Sequence, residues 1–156
     1  MLSGSIKSLL LAACLGAGLL AAVPAYANLG GDADSVRADA MEFVGTVASV
    51  DGSGYLIAQI STDSGVRVRE YLNRDGIVFA VSWSGPVVPE LQRLLGVHFP
   101  AYLAALAALD RPGLHRTLRV ATPDLVVEAG GHLRAYQGRA YLPNLIPAGV
   151  AAADLR

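Results

Sequence analysis

Residues 66–86, VRVREYLNRDGIVFAVSWSGP, carry the pattern around which the rest of the chain is arranged. Ile77, Phe79, Val81 and Trp83 fall at alternate positions, so a strand through them has one large apolar face that must be buried. Just upstream, Asn73-Arg74-Asp75-Gly76 suits a type I turn closed by a glycine bulge, which makes the segment a hairpin. Its register sets Leu72 near Ile77, Glu70 near Phe79 and Val68 near Val81. Arg67, Arg69 and Tyr71 then share the reverse face with Val78, Ala80 and Ser82. Two earlier alternating runs, 43–50 and 55–61, are bounded by the turn clusters 51–54 and 62–65. Four strands joined by short turns predict an antiparallel meander.

The helical signals lie on either side of this meander. Asp32, Asp34 and Ser35 offer capping residues, and Ala33, Val36 and Ala40 recur at helical spacing, predicting a short helix over 32–41 after a mobile Gly30-Gly31 lead-in. Pro89 can open a second helix with Leu91, Leu94 and Leu95 on its apolar face. Gly96 caps it, and Pro100 fits the first turn of a third, whose spacing predicts burial of Tyr102, Leu103, Leu106 and Leu109 over the Trp83 face. The cluster 110–113 stops that helix. Strands follow over 115–121 and 125–129. Gly130-Gly131 is a favoured hairpin loop, pairing Ala129 with His132, Val127 with Arg134 and Leu125 with Tyr136. That register places His132, Arg134 and Tyr136 in one row and turns Leu133 and Ala135 to the core. The tail from Leu142 reads as irregular, pinned by Leu142, Leu145 and Ile146. The sum is an α+β fold: a twisted antiparallel sheet, meander plus C-terminal hairpin, packed against one or two central helices.

The N-terminal stretch changes the picture of compartment. Lys7 precedes an apolar run over 9–23, and Ala25-Tyr26-Ala27 gives the small-x-small pattern of a signal peptidase site. Residues 1–27 are therefore expected to be a cleaved signal peptide, cut between Ala27 and Asn28, with a single domain over 28–156 in the periplasm or outside the cell. Leu11-Ala12-Ala13-Cys14 also fits a lipoprotein signal, but lipidation at Cys14 would split the apolar run. With the leader gone the chain is cysteine-free, so its stability rests on the core rather than on disulfides. The leader also removes Lys7, the only lysine. The remaining basic residues are all arginines, slightly outnumbered by the 13 acids. This balance gives no long-range field for nucleic acid, and no segment of the mature chain reads as a transmembrane span.

The motifs of nucleophilic, nucleotide and metalloprotease chemistry are absent: there is no GxSxG, GxxxxGK[ST], HExxH or GxGxxG opening a helix. His98, His115 and His132 are dispersed, and neither a metal nor a cofactor is called for. Two patches carry recognisable contact chemistry. The first is His132, Arg134, Tyr136, Arg139 and Tyr141, in which Arg-Ala-Tyr occurs twice; the second is Arg67, Arg69 and Tyr71. Arginine grips carboxylate or phosphate bidentately and tyrosine offers a rigid amphipathic face, so both patches suit an anionic glycan or an envelope protein. Structural tyrosines stacked under arginines are the commoner account of such patches. Glu70 is a possible acid, though an ion pair near a strand edge is by far the commoner role for such a carboxylate.

Leu29-Gly30-Gly31-Asp32, Arg69-Glu70-Tyr71, the run 76–86 and the run 130–141 (GGHLRAYQGRAY) together resemble a family of small exported proteobacterial proteins catalogued as a domain of unknown function. The resemblance covers nearly all of the mature chain and implies a cell-envelope location, with no activity or ligand attached. Three readings follow. The first is a non-enzymatic periplasmic binding or assembly module that uses the arginine and tyrosine surface. The second is a small hydrolase or lyase with His132 as base and Glu70 or Glu128 as its acid or orienter. The third is a purely structural envelope protein.

Overall fold

The computed structural model describes residues 29–36, 48–52, 54–109 and 117–156. The expected signal peptide with Cys14, the helix beyond residue 36, the strand before residue 48 and the stop at 110–113 lie outside the described residues. Seven strands are present among the described residues: β1 (Ala48–Gly52), β2 (Tyr55–Ser61), β3 (Arg67–Leu72), β4 (Val78–Gly85), β5 (Thr117–Ala121), β6 (Val126–His132) and β7 (Ala135–Tyr141). They form one open antiparallel sheet in the order β1-β2-β3-β4-β7-β6-β5. The meander is as expected, and the C-terminal hairpin joins it through β7 on β4. Between the two halves run α1 (Leu91–Leu95), a single 3-10 turn (Gly96–His98) and α2 (Phe99–Ala107), with Pro100 in the first turn of α2. No helix among the described residues is long and apolar enough to cross a membrane.

The helices cover one face of the sheet, as the Trp83 pattern predicts. Val68, Leu72, Val78, Val81 and Trp83 pack there with Leu94, Leu95 and Tyr102, joined by Val120, Val127 and Ala140 of the C-terminal strands. Leu103 and Leu109, expected in this core, are exposed instead, because α2 touches the sheet along a narrower stripe centred on Tyr102, with Leu106 at its margin. Leu29, Gly30 and Gly31 are not a mobile lead-in. Gly30 N–H donates to the Val78 carbonyl and Val78 N–H to the Gly31 carbonyl, each at 2.8 Å, and Leu29 is fully buried against the helices. Asp32 caps the helical turn that follows by accepting the Ser35 N–H at 3.0 Å.

The hairpin of β3 and β4 turns where expected, with Gly76 at φ 76° and Asn73 N–H bonded to the Ile77 carbonyl at 2.9 Å. Its register differs from the expected one twice over. The turn pairs Leu72 with Val78 rather than Ile77, and a bulge at Phe79 then moves Glu70 opposite Val81 and Val68 opposite Trp83. Two one-residue shifts restore the alternation, so Val81 and Trp83 stay on the helix side. Phe79 does not. The bulge turns it to the reverse face, where its ring lies 6.3 Å from Tyr71 and 5.9 Å from Tyr55. Val78 occupies the helix-side place that the alternation assigned to Phe79, and Ile77 is only partly buried.

The C-terminal hairpin departs further. Gly130-Gly131 is not its loop: β6 runs through both glycines, and the chain reverses at Leu133-Arg134, with Arg134 at φ 64°. Side-chain fit outweighs turn propensity here. The observed register puts Glu128 beside Arg139 and places Gly138 against Trp83, where a Cβ would come within 2.3 Å of Trp83 Cζ2. Leu133 and Ala135 consequently lie at the exposed tip rather than in the core. The tail is irregular as expected. Leu142 pins it, but Leu145 is exposed, and the deeper anchor is Leu155, buried with Tyr71, Phe79, Val126 and Tyr141 on the face away from the helices.

Candidate functional site

Alternation along six neighbouring strands builds the reverse face row by row. One row is apolar: Ile57, Tyr71, Ala80, Tyr141 and Val126 are in register, and the tail residues Ile146, Val150, Ala152 and Leu155 close over this part of the face. Two residues further along each strand, the row reads Gln59, Arg69, Ser82, Arg139, Glu128 and Arg119. The next reads Ser61, Arg67, Ser84, Gln137, Gly130 and Thr117. From Arg69 and Arg67 onward these two polar rows line a cleft of about 690 Å3, with Leu155 and Arg156 at its border. Gly130 brings no side chain to the second row, which leaves the cleft open between Gln137 and Thr117.

The arginines are held in different ways. Glu128 bridges two of them: Arg119 Nε donates to Oε1 at 3.0 Å, and Arg139 Nε donates to Oε2 at 2.7 Å. Partial burial pushes the Glu128 carboxyl up, but the hydrogen bonds from Arg139 and Arg119 outweigh it and hold the group below its ordinary value of 4.5. The same hydrogen bond to Glu128 raises Arg119. Arg139 also donates through Nη1 to the Ala152 carbonyl at 2.6 Å, tying the tail to the row. Arg69 donates to Gln59 Oε1 at 3.1 Å and to the main-chain oxygen of Arg156, which also accepts the Tyr71 hydroxyl at 2.7 Å. Arg67 stands exposed at the cleft margin with no side-chain hydrogen bond or ion pair among the described residues.

The structure regroups the residues singled out in the sequence. Arg67, Arg69 and Tyr71 and the pair Arg139 and Tyr141, expected as two patches, lie on one face because β4 and β7 are neighbours. Tyr71 and Tyr141 belong to its buried apolar row and are not available for contact. His132, Arg134 and Tyr136 are not a row. His132 pairs with Ala135 at the hairpin end, Arg134 occupies the turn, and Tyr136 pairs with Gly131 on the opposite face from His132. The register is set by residues 126–131 on β6, three places later than a Gly-Gly loop requires.

Acid and base chemistry is not assembled around His132. Its Nδ1 lies 3.2 Å from the Leu133 carbonyl at an exposed tip. Glu128 sits four residues back along β6 (about 13 Å). Glu70 is fully buried on the helix side of β3, an interior strand, rather than at the strand edge expected for it. Among the described residues no cluster of His, Cys, Asp and Glu is placed to hold a metal ion. Sequence reasoning passed over Arg119, Thr117, Gln137 and Ser84. Their signal is a shared polar face at alternate positions of β4, β5 and β7, which becomes meaningful only once those strands are known to adjoin.

A model of the family described as Protein of unknown function (DUF2844) matches residues 25–155. No curated protein and no solved structure matches the chain. The family match takes in every described strand, both helices and all but the last residue of the tail that borders the cleft. On that span, the chain belongs to the DUF2844 family of proteins of unknown function.

Proposed function

We propose that the chain is a non-enzymatic binding module of the cell envelope that captures an anionic partner on the arginine-lined face. The observation that carries this reading is the convergence of Arg67, Arg69, Arg119, Arg139 and Arg156 around one cleft in which Glu128 is the only acidic side chain among the described residues. The whole chain carries a net charge of -1, so this concentration is local and works against the average. A low-dielectric floor beneath such a group of guanidinium ions strengthens the attraction to an incoming anion. The envelope location is supported by the leader pattern over 1–27 and by a family match that begins at residue 25, beyond the apolar run.

The test is capture from an envelope extract by immobilised residues 28–156, with and without the pair Arg67→Gln and Arg119→Gln. Both side chains are exposed, so neither substitution empties core volume, and Arg139 still pairs with Glu128. Wild type should retain an acidic component that the double variant retains at least tenfold less, since a hydrogen bond to a charged group contributes about 1.5 to 3 kcal/mol. Equal retention by both proteins overturns the assignment of this face.

A further inference from the structure

The nature of the cleft narrows the ligand class, on the premise that the arginine face is the binding surface. The floor is formed by β4, β7 and β6, interior strands whose backbone groups are engaged in the sheet ladders. A peptide cannot add to these three as a further strand, so over the floor recognition falls to side chains. Those side chains are arginines interleaved with hydroxyl and amide groups: Ser84, Gln137 and Thr117 form one row, between Arg67 at one end and Arg119 near the other. No exposed large apolar side chain stands among them, and Leu155 at the border is buried. Among the described residues this cleft offers no apolar anchor pocket of the kind on which tight protein partners depend.

Length adds a second restriction. Arg67 on β3 and Arg119 on β5 are separated by four strand-to-strand steps, roughly 19 Å at about 4.8 Å per step. One carboxylate cannot serve both. A chain of several units, each with an acid and neighbouring hydroxyls, can lie across the strands and meet both ends and the polar middle.

We infer that the cleft takes a linear uronic-acid polysaccharide, with carboxylates on Arg67 and Arg119 and sugar hydroxyls on Ser84, Gln137 and Thr117.

Residues 28–156 would be titrated with hexagalacturonate, its fully methyl-esterified form, polyphosphate and polyglutamate, by isothermal calorimetry. Hexagalacturonate should bind at least tenfold more tightly than each of the other three. Ser84→Ala with Gln137→Ala should weaken the uronate several-fold and leave any residual polyphosphate binding unchanged. If polyphosphate or polyglutamate binds as tightly as the uronate, the polysaccharide inference falls while the anion-binding reading stands. If the ester binds as tightly as the acid, or if none of the polyanions binds, both fall together.

Discussion

At Gly138 a single hydrogen atom in place of a side chain lets the indole of Trp83 lie against the strand that floors the cleft. A Cβ there would fall 2.3 Å from Trp83 Cζ2 and 2.8 Å from the Glu128 carbonyl oxygen. Neither the buried ring nor a ladder carbonyl can withdraw freely, so Gly138→Ala is expected to cost about 1 to 3 kcal/mol through overpacking. Urea unfolding followed by Trp83 emission measures this directly; a midpoint equal to that of wild type contradicts the close packing. Phe79 shows the same dependence on a single position. One extra residue in β4 sends it away from Trp83 and into the aromatic group with Tyr55 and Tyr71.

Among the elements, the irregular tail has the largest effect relative to its length. It covers the apolar part of the reverse face and leaves the arginine rows open, so it sets the border of the candidate site. Leu155 is its buried anchor, and the hydrogen bonds from Arg139 to Ala152 and from Tyr71 to Arg156 fix the segment on either side of it. Leu155→Ala should destabilise by about 2 to 5 kcal/mol, the usual cost of emptying a leucine site. Because the tail borders the cleft, the same variant should also bind an environment-sensitive dye at the exposed Tyr71 and Phe79. Unaltered stability in thermal unfolding would show that the tail is an accessory rather than part of the core.

For the molecule as a whole, the Arg119-Glu128-Arg139 bridge links β5, β6 and β7 and makes stability depend on acid pH. The folded state holds the Glu128 carboxyl below its ordinary value of 4.5, so at acid pH the unfolded chain binds this proton more readily than the folded one. The contribution is complete above the unfolded value and is lost as pH falls through the lower folded value. Denaturant midpoints of wild type and Glu128→Gln should therefore differ most near neutrality and converge in the pH range below about 4. A constant difference down to pH 2 would mean that the carboxylate charge is not what stabilises the wild type.

Local pattern was enough to read the α+β class, the four-stranded meander, the turn at Gly76, the two helices from Pro89 onward and the burial of Trp83, because each depends on period, caps and turn residues within a few positions. The register of the C-terminal hairpin was not legible locally. Gly130-Gly131 is the better turn in isolation, and it yields to the contacts of Gly138 with Trp83 and of Glu128 with Arg139, whose partners come from strands far apart in sequence or from both sides of a hairpin. The candidate site follows the same division. Arg67, Arg69 and Arg139 were visible as residues with the right chemistry, and alternation gave the shared face of Arg67 and Arg69. That they form one cleft with Arg119, bounded by the tail, depends on β7 pairing with β4, and strand adjacency is settled by tertiary packing because period alone cannot name a strand's neighbour.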